Sequence, residues 1–276
     1  MAKIPKFNSL NIIFEKGMIE QNHRSYIGYS SLGQECMRKT WYSFRWVKTS
    51  HIDRRVQRIF DRGHAEESII LQELADKGVK SYGYQCEVID KTGHIKGHID
   101  AALLNVPTAE KTEHLFEAKT MKASKFKEYL VKGLKKFNPA YWQQIHSYMG
   151  HLNITRCLYV VTNKDNEERD YKRIEFDKDQ FEEGEKRGFF ILTSENPPDR
   201  LPNSSSTFFE CKWCEYKGIC HLNVKVEKNC RTCKYWDIEN DGKFKCSFWD
   251  MNLFESDQKD MSVCSGIDYE LSDSYV

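Results

Sequence analysis

Apolar positions along residues 53–78 return on one side of a helix. Val56, Ile59, Phe60, Ile69, Ile70, Leu71 and Leu74 supply that side, over a length that predicts one long helix. Gly63 sits in its middle, where glycine costs about 1 kcal/mol relative to alanine; close approach of another backbone or of a ligand would explain it, and so would chance. Beyond this helix the pattern shortens. Residues 84–90, 95–104 and 114–121 read as strands, separated by the turn Lys91-Thr92-Gly93 and the break Val106-Pro107-Thr108. Residues 122–136 predict a lysine-rich helix ended by Phe137-Asn138-Pro139, and residues 140–152 a second helix carrying Trp142, Gln143, Gln144, His146 and Tyr148. Residues 156–161 compose a buried strand and residues 171–176 a further one, after which Asp177 caps a helix to about Arg187. Ahead of the long helix, Ser30 or Ser31 caps a short helix with Cys36 and Arg38, and Trp41, Tyr42, Phe44 and Trp46 are core or core edge. Residues 1–25 have weak pattern and form a strand or an arm; residues 194–206 read as a linker. The order defines an α/β domain with a mixed central sheet.

Composition narrows the class. The chain has 276 residues, of which 30% are charged and 39% hydrophobic, enough for one large domain or one domain with an appendage. No apolar run spans a bilayer, so no membrane partner is expected. The start, Met-Ala-Lys-Ile-Pro-Lys, lacks a signal-peptide core, which places the protein in the cytoplasm. The net charge of +1 says little about partners, whereas its distribution says more: seven lysines and one acid, Glu128, lie between Lys119 and Lys136. Ten cysteines in an intracellular chain argue for metal rather than disulfides. Seven of them fall between Cys211 and Cys264.

The chemistry concentrates at Gly97-His98-Ile99-Asp100 and Glu117-Ala118-Lys119. On adjacent strands these bring two carboxylates and an ammonium together, with Glu117 and Lys119 on one face. Two carboxylates can hold a hard divalent cation, and the lysine can orient a metal-bound water, which is machinery for hydrolysing a phosphodiester. The alternative is an ordinary Glu–Lys pair on a solvated strand. Three neighbours favour a site: His64 on the preceding helix, the lysine run beginning at Lys119, and Gln144 with Tyr148 at i, i+4 on one helix face.

In this order, His64, Asp100, Glu117-x-Lys119 and Gln144-x3-Tyr148 resemble the motifs of the PD-(D/E)XK nuclease superfamily in its RecB-like exonuclease branch. The resemblance covers about residues 30–220 and implies a restriction-endonuclease-like core. It implies His64, Asp100 and Glu117 as ligands of Mg²⁺ or Mn²⁺, the Ala118 carbonyl as a further ligand, and Lys119 as catalytic base or orienter. Gln144 and Tyr148 then support the site and the DNA. Gln144 is preferred to Gln143 because only it has tyrosine at i+4. Gly63 directly precedes His64, whereas the family often spaces the glycine further back. Glu67, one helical turn on, either assists or is solvated. The implied partner is DNA, single-stranded or duplex ends, with protein partners in recombination and a bacterial cell or phage-infected host as the setting.

Two cysteine groups remain. Cys211-x2-Cys214-x5-Cys220 with the remote Cys36 resembles the iron–sulfur nucleases of the same branch, AddB-type and CRISPR-adaptation exonucleases. That implies a 4Fe–4S cluster tying together the ends of a nuclease domain over residues 1–222. A structural zinc at the same thiols is the alternative; so are a site without Cys36 and His221 as fourth ligand. Cys230-x2-Cys233-x12-Cys246-x17-Cys264 makes residues 223–276 a zinc-ribbon-like module that resembles cysteine-rich tails of some bacteriophage proteins; free thiols in an acidic tail are the alternative. Cys86 and Cys157 read as buried thiols in strands. Phe126, Tyr129 and Phe137, among the lysines, either stack bases or lie in the core. An exonuclease is the leading reading; an endonuclease and a non-catalytic DNA-binding or adaptor protein are its rivals.

Overall fold

The computed structural model describes residues 10, 14–15, 17–202 and 204–275; the rest of the predicted N-terminal strand or arm lies outside them. The first half of the chain runs β1 (Met18–Glu20), β2 (Ile27–Gly28), α1 (Tyr29–Leu32), α2 (Met37–Phe44), β3 (His51–Asp53), α3 (Arg54–Asp76), β4 (Lys80–Tyr82), β5 (Glu87–Ile89), β6 (Ile95–His98), β7 (Ala101–Leu104) and β8 (His114–Met121). The second half runs α4 (Ala123–Lys132), α5 (Leu134–Phe137), α6 (Pro139–Leu152), β9 (Arg156–Asn163), β10 (Arg169–Glu175), α7 (Lys178–Thr193), α8 (Phe209–Lys212), α9 (Lys217–Leu222), β11 (Trp236–Ile238), β12 (Phe244–Cys246), β13 (Met251–Asn252) and α10 (Glu255–Asp260).

The central sheet has the order β10-β9-β8-β7-β4. It is mixed, because β8 and β9 run parallel while the other pairs are antiparallel. Period-two alternation splits its side chains between two clusters. Phe116, Ala118, Leu158 and Val160 pack with Ile70 of α3. Leu115, Met121, Tyr159 and Val161 pack with Phe126 and Tyr129 of α4 and with Ile145 and Met149 of α6. Helices thus flank both faces, as the sequence predicted for an α/β domain. A second sheet, β2-β6-β5, and a third, β11-β12-β13, lie outside this layer.

Several elements differ from expectation, each for a physical reason. Residues 95–104 are two strands in two different sheets, with Ile99-Asp100 as the break. The lysine-rich helix is interrupted at Gly133, whose φ of +70° takes the chain out of helical space. Only the C-terminal part of α3 is packed: Ile70 is fully buried, but Ile59, Phe60 and Ile69 are exposed. Gly63 has open space around the position of a Cβ, so no close approach of another backbone among the described residues accounts for it. Cys86 is exposed and lies in the turn before β5, not buried in a strand, whereas Cys157 is buried in β9. Phe126 and Tyr129 belong to the core, which removes them as base-stacking groups.

Residues 223–276 share the main apolar cluster with α1, α2 and α6. Arg231 is fully buried and donates to the carbonyls of Phe44 and Ser25 and to Gln258 Oε1. Its guanidinium stands 4.1 Å from the Trp46 ring centre and 4.2 Å from that of Phe244.

Candidate active site

The site forms where β8 loses one neighbour. The β7–β8 pairing ends with Ala101 opposite Phe116, while β9 continues alongside β8 as far as Met121. The Ala118 amide on the side that β7 has left is taken by Asp100, whose Oδ2 accepts from it at 2.9 Å. The bend between β6 and β7 therefore delivers the Asp100 carboxylate to the middle of Glu117-Ala118-Lys119. Residues 95–104 cannot be one straight strand and also do this.

Glu117 is 1% exposed. One of its oxygens pairs with the Lys119 ammonium on the same strand face, and the other, Oε2, is buried without a partner. Burial pushes the Glu117 carboxyl above the usual carboxylate range; Lys119 pulls it back, and Asp100 and Glu67 push it further up. For Lys119 burial works against the charge, and Glu117 and Asp100 outweigh it, so the ammonium is held more firmly than in an ordinary lysine. The Lys119 Nζ also lies 5.3 Å from the centre of the Tyr141 ring.

Helix α6 covers this face. Asn138 caps it by accepting from the Ala140 and Tyr141 amides, with Pro139 at the first turn. Tyr148 is buried, and its hydroxyl receives Gln144 Nε2 at 3.4 Å. That hydroxyl lies where a Cβ on Gly97 of β6 would be, 2.3 Å away, so a side chain at position 97 would displace it. Gln143 instead points into the α6–α7 contact, bonding Ser147 and Gln180.

His64 is exposed on α3. Its neighbour Glu67 is half-buried, and its carboxyl is raised by burial and then by Asp100, with Lys119 and His64 acting the other way. Glu67 thus lies within the field of the Asp100–Lys119 group. Sequence spacing indicated Glu67 only as one turn from His64, and Tyr141 not at all, although it lies one turn before Gln144. The next acid, Glu66, is structural: it accepts from Thr162 and Arg169.

Cys36, Cys211, Cys214, Cys220 and His221 line one cavity of about 800 Å³. Burial raises the Cys211 thiol, with Cys220 and Cys36 adding to it, and burial likewise raises that of Cys214. His221 keeps a buried ring nitrogen, Nε2, without a partner. Trp213 is 78% exposed and does not shield the thiols. The second set, Cys230, Cys233, Cys246 and Cys264, lines a separate small cavity. As arranged, no group of three or more His, Cys, Asp or Glu side chains among the described residues stands in metal-holding geometry. A site for Mg²⁺ does not need three, since one or two carboxylates completed by water and phosphate are its usual protein ligands. The partnerless Glu117 oxygen beside Asp100 fits that donor set.

No family model and no curated protein matches the chain. Among solved structures, SSO0001 aligns over 74% of this chain and 90% of its own, at 16% identity and a TM-score of 0.43. An alkaline exonuclease (LHK-Exo) from Laribacter hongkongensis aligns over 62% of this chain and 87% of its own, at 18% identity and a TM-score of 0.44. The same exonuclease in complex with dAMP aligns over 61% and 86%, at 18% identity and a TM-score of 0.45. Likeness at this level assigns no activity to this chain by itself. Among the described residues, no helix is long and apolar enough to cross a membrane.

Proposed function

We propose that the chain is a metal-dependent deoxyribonuclease, and within that class an exonuclease acting on DNA ends. The observation that supports it most is the Asp100 carboxylate bound to the Ala118 amide, between a buried Glu117 with a free oxygen and a firmly protonated Lys119. Asp100 and Glu117 would hold Mg²⁺ or Mn²⁺, with the Ala118 carbonyl and His64 as further ligands. The cation supplies charge for the phosphate and lowers the pKa of a bound water. Glu117 and Asp100 favour the charged form of Lys119, which suits it to orienting the attacking water or neutralising a phosphate oxygen. Tyr148, tied to Gln144, positions the edge of the site from α6. The lysines of α4 and α5 offer phosphate contacts that lie outside the core. Cys36, Cys211, Cys214 and Cys220 would carry a 4Fe–4S cluster, or zinc, that ties α2 to α8 and α9.

The test compares the full chain with Asp100→Ala on end-labelled single- and double-stranded DNA in Mn²⁺. Removal of one of two ligating carboxylates is expected to lower the rate by about 10²-fold or more, about 3 kcal/mol of barrier. Equal cleavage by the two proteins would overturn the proposal. Product length against time on substrates blocked at the 5′ or 3′ end separates exonuclease from endonuclease. Brown, anaerobically purified protein with broad visible absorbance would support the cluster, and colourless protein with stoichiometric zinc at those thiols would replace it.

A further inference from the structure

We propose that Cys230, Cys233, Cys246 and Cys264 bind one zinc ion, which fastens residues 223–276 onto the turn between β5 and β6. The four side chains come from three separate pieces of backbone. Cys230 and Cys233 flank a single 3₁₀ turn, closed by the Cys233 amide on the Cys230 carbonyl at 3.0 Å. Cys246 ends β12, opposite Trp236 in the ladder. Cys264 follows α10 in a turn closed onto Met261. All four line one cavity of about 20 Å³, room for a single water-sized body.

The nature of that body follows from the walls. Besides the thiols they are formed largely by apolar and aromatic side chains, Trp236, Leu253, Met261 and Val263 among them, with Asp268 the one carboxylate. A buried water needs two to four polar partners, and thiols are weak ones. A hard cation needs several oxygens, more than one carboxylate supplies, whereas four thiolates select zinc. Ligation requires the thiols to turn toward the cavity centre, since they do not stand in metal-holding geometry as arranged. Regular structure within the segment itself is sparse. Its strands have two or three residues each, and Phe254 and Ile267 are exposed. A segment this short needs a metal or a host surface to fold.

The host surface is specific. The Gly242 amide donates to the Thr92 carbonyl at 2.9 Å, and the His94 ring bonds the Glu239 carbonyl at 2.6 Å. Gly93 and Gly242 both have positive φ, and a Cβ on either would strike the backbone of the other within 2.6 Å. The turn between β11 and β12 is thus set against the turn that starts β6, the strand running into Asp100.

The inference does not depend on nuclease activity, and its test reads metal. Full-length protein, Cys211→Ser and Cys246→Ser are purified from zinc-replete medium and their zinc and iron counted. Cys246→Ser is expected to carry one zinc per chain fewer than wild type, and Cys211→Ser to keep that zinc, whichever metal it loses from the first cysteine set. Where Cys246→Ser does not accumulate, zinc-edge X-ray absorption of the wild-type protein decides, with four sulfurs at about 2.3 Å expected. Wild type without zinc, a zinc shell with two or more nitrogen or oxygen ligands, or unchanged zinc in Cys246→Ser would overturn it.

Discussion

At Glu117 and His146 the interior handles charge in opposite ways. Glu117 is buried with an ammonium beside it and has a raised pKa, so whatever stability it contributes is present at low pH and lost as pH rises through its folded value. His146 is fully buried; its Nδ1 accepts the Asp177 amide at 3.2 Å, and burial pulls its pKa from 6.5 to about 4. Its contribution has the other sign: full above 6.5, it declines as pH falls toward about 4. A shift of that size corresponds to about 3 kcal/mol. Urea midpoints measured from pH 7.5 to 4 should therefore fall, and His146→Gln, which keeps an acceptor but does not titrate, should flatten part of that slope. An unchanged slope in the variant would remove His146 from the account. His94 and His114 are lowered by burial in the same direction and retain their share. Single residues were legible in the sequence wherever spacing alone decides a face, as with Glu117 and Lys119 on a strand or Gln144 and Tyr148 on a helix. Glu67 was legible only as one turn from His64, with assisting and solvated roles both open, because its approach to Asp100 depends on how α3 lies on the sheet.

Glycine positions show how elements meet. At Gly33, between α1 and α2, a Cβ would lie 2.5 Å from the Ala140 Cα and 2.7 Å from the Pro139 carbonyl. Both are backbone at the start of α6, and neither can rotate away. Overpacking of this kind costs about 1–3 kcal/mol, more than the fraction of a kcal/mol that alanine saves in the unfolded chain. Gly33→Ala is expected to lose about 2 kcal/mol, or about 5 °C in melting temperature for a chain of this size. Gly63→Ala is expected to do the reverse and stabilise by up to about 1 kcal/mol, because nothing lies within 4 Å of the added carbon. Thermal melts of the two variants check both signs, and a stable Gly33→Ala would mean that α1 does not seat on α6 as described. Phe137-Asn138-Pro139 was legible as the stop of the preceding helix, a local signal, whereas Asn138 also caps α6 and Pro139 starts it. The split of residues 95–104 was not legible: its composition is continuous, and the bend comes from the sheet edge that Asp100 satisfies.

On the scale of the whole molecule, the question is what joins residues 223–276 to the sheet domain, and a large part of the answer is one arginine. Arg231 lies among Phe44, Trp46, Trp236 and Phe244, with no carboxylate of the described residues among its hydrogen-bond partners. Its charge is offset by the ring faces and by three acceptors, the Ser25 and Phe44 carbonyls and Gln258 Oε1. Two of these belong to the N-terminal body and the third to α10, so one planar side chain bonds both parts at once. Methionine in its place would fill similar volume yet take the arginine donor from the buried Ser25 and Phe44 carbonyls, at about 1–3 kcal/mol each, while Gln258 Oε1 keeps its bond from the Trp236 indole; the desolvation no longer incurred offsets part of this. Arg231→Met is expected to lose about 3 kcal/mol. Lysine should not restore it, since a single ammonium lacks the fork that reaches three acceptors in different directions. Urea unfolding followed by tryptophan fluorescence reads the loss, and limited proteolysis should show cleavage beyond residue 233 before the sheet domain is attacked. If Arg231→Met unfolds at the wild-type midpoint, the shared core rather than the guanidinium holds the two parts together, and the zinc site would then be the remaining specific fastening of the segment to the strand that carries Asp100.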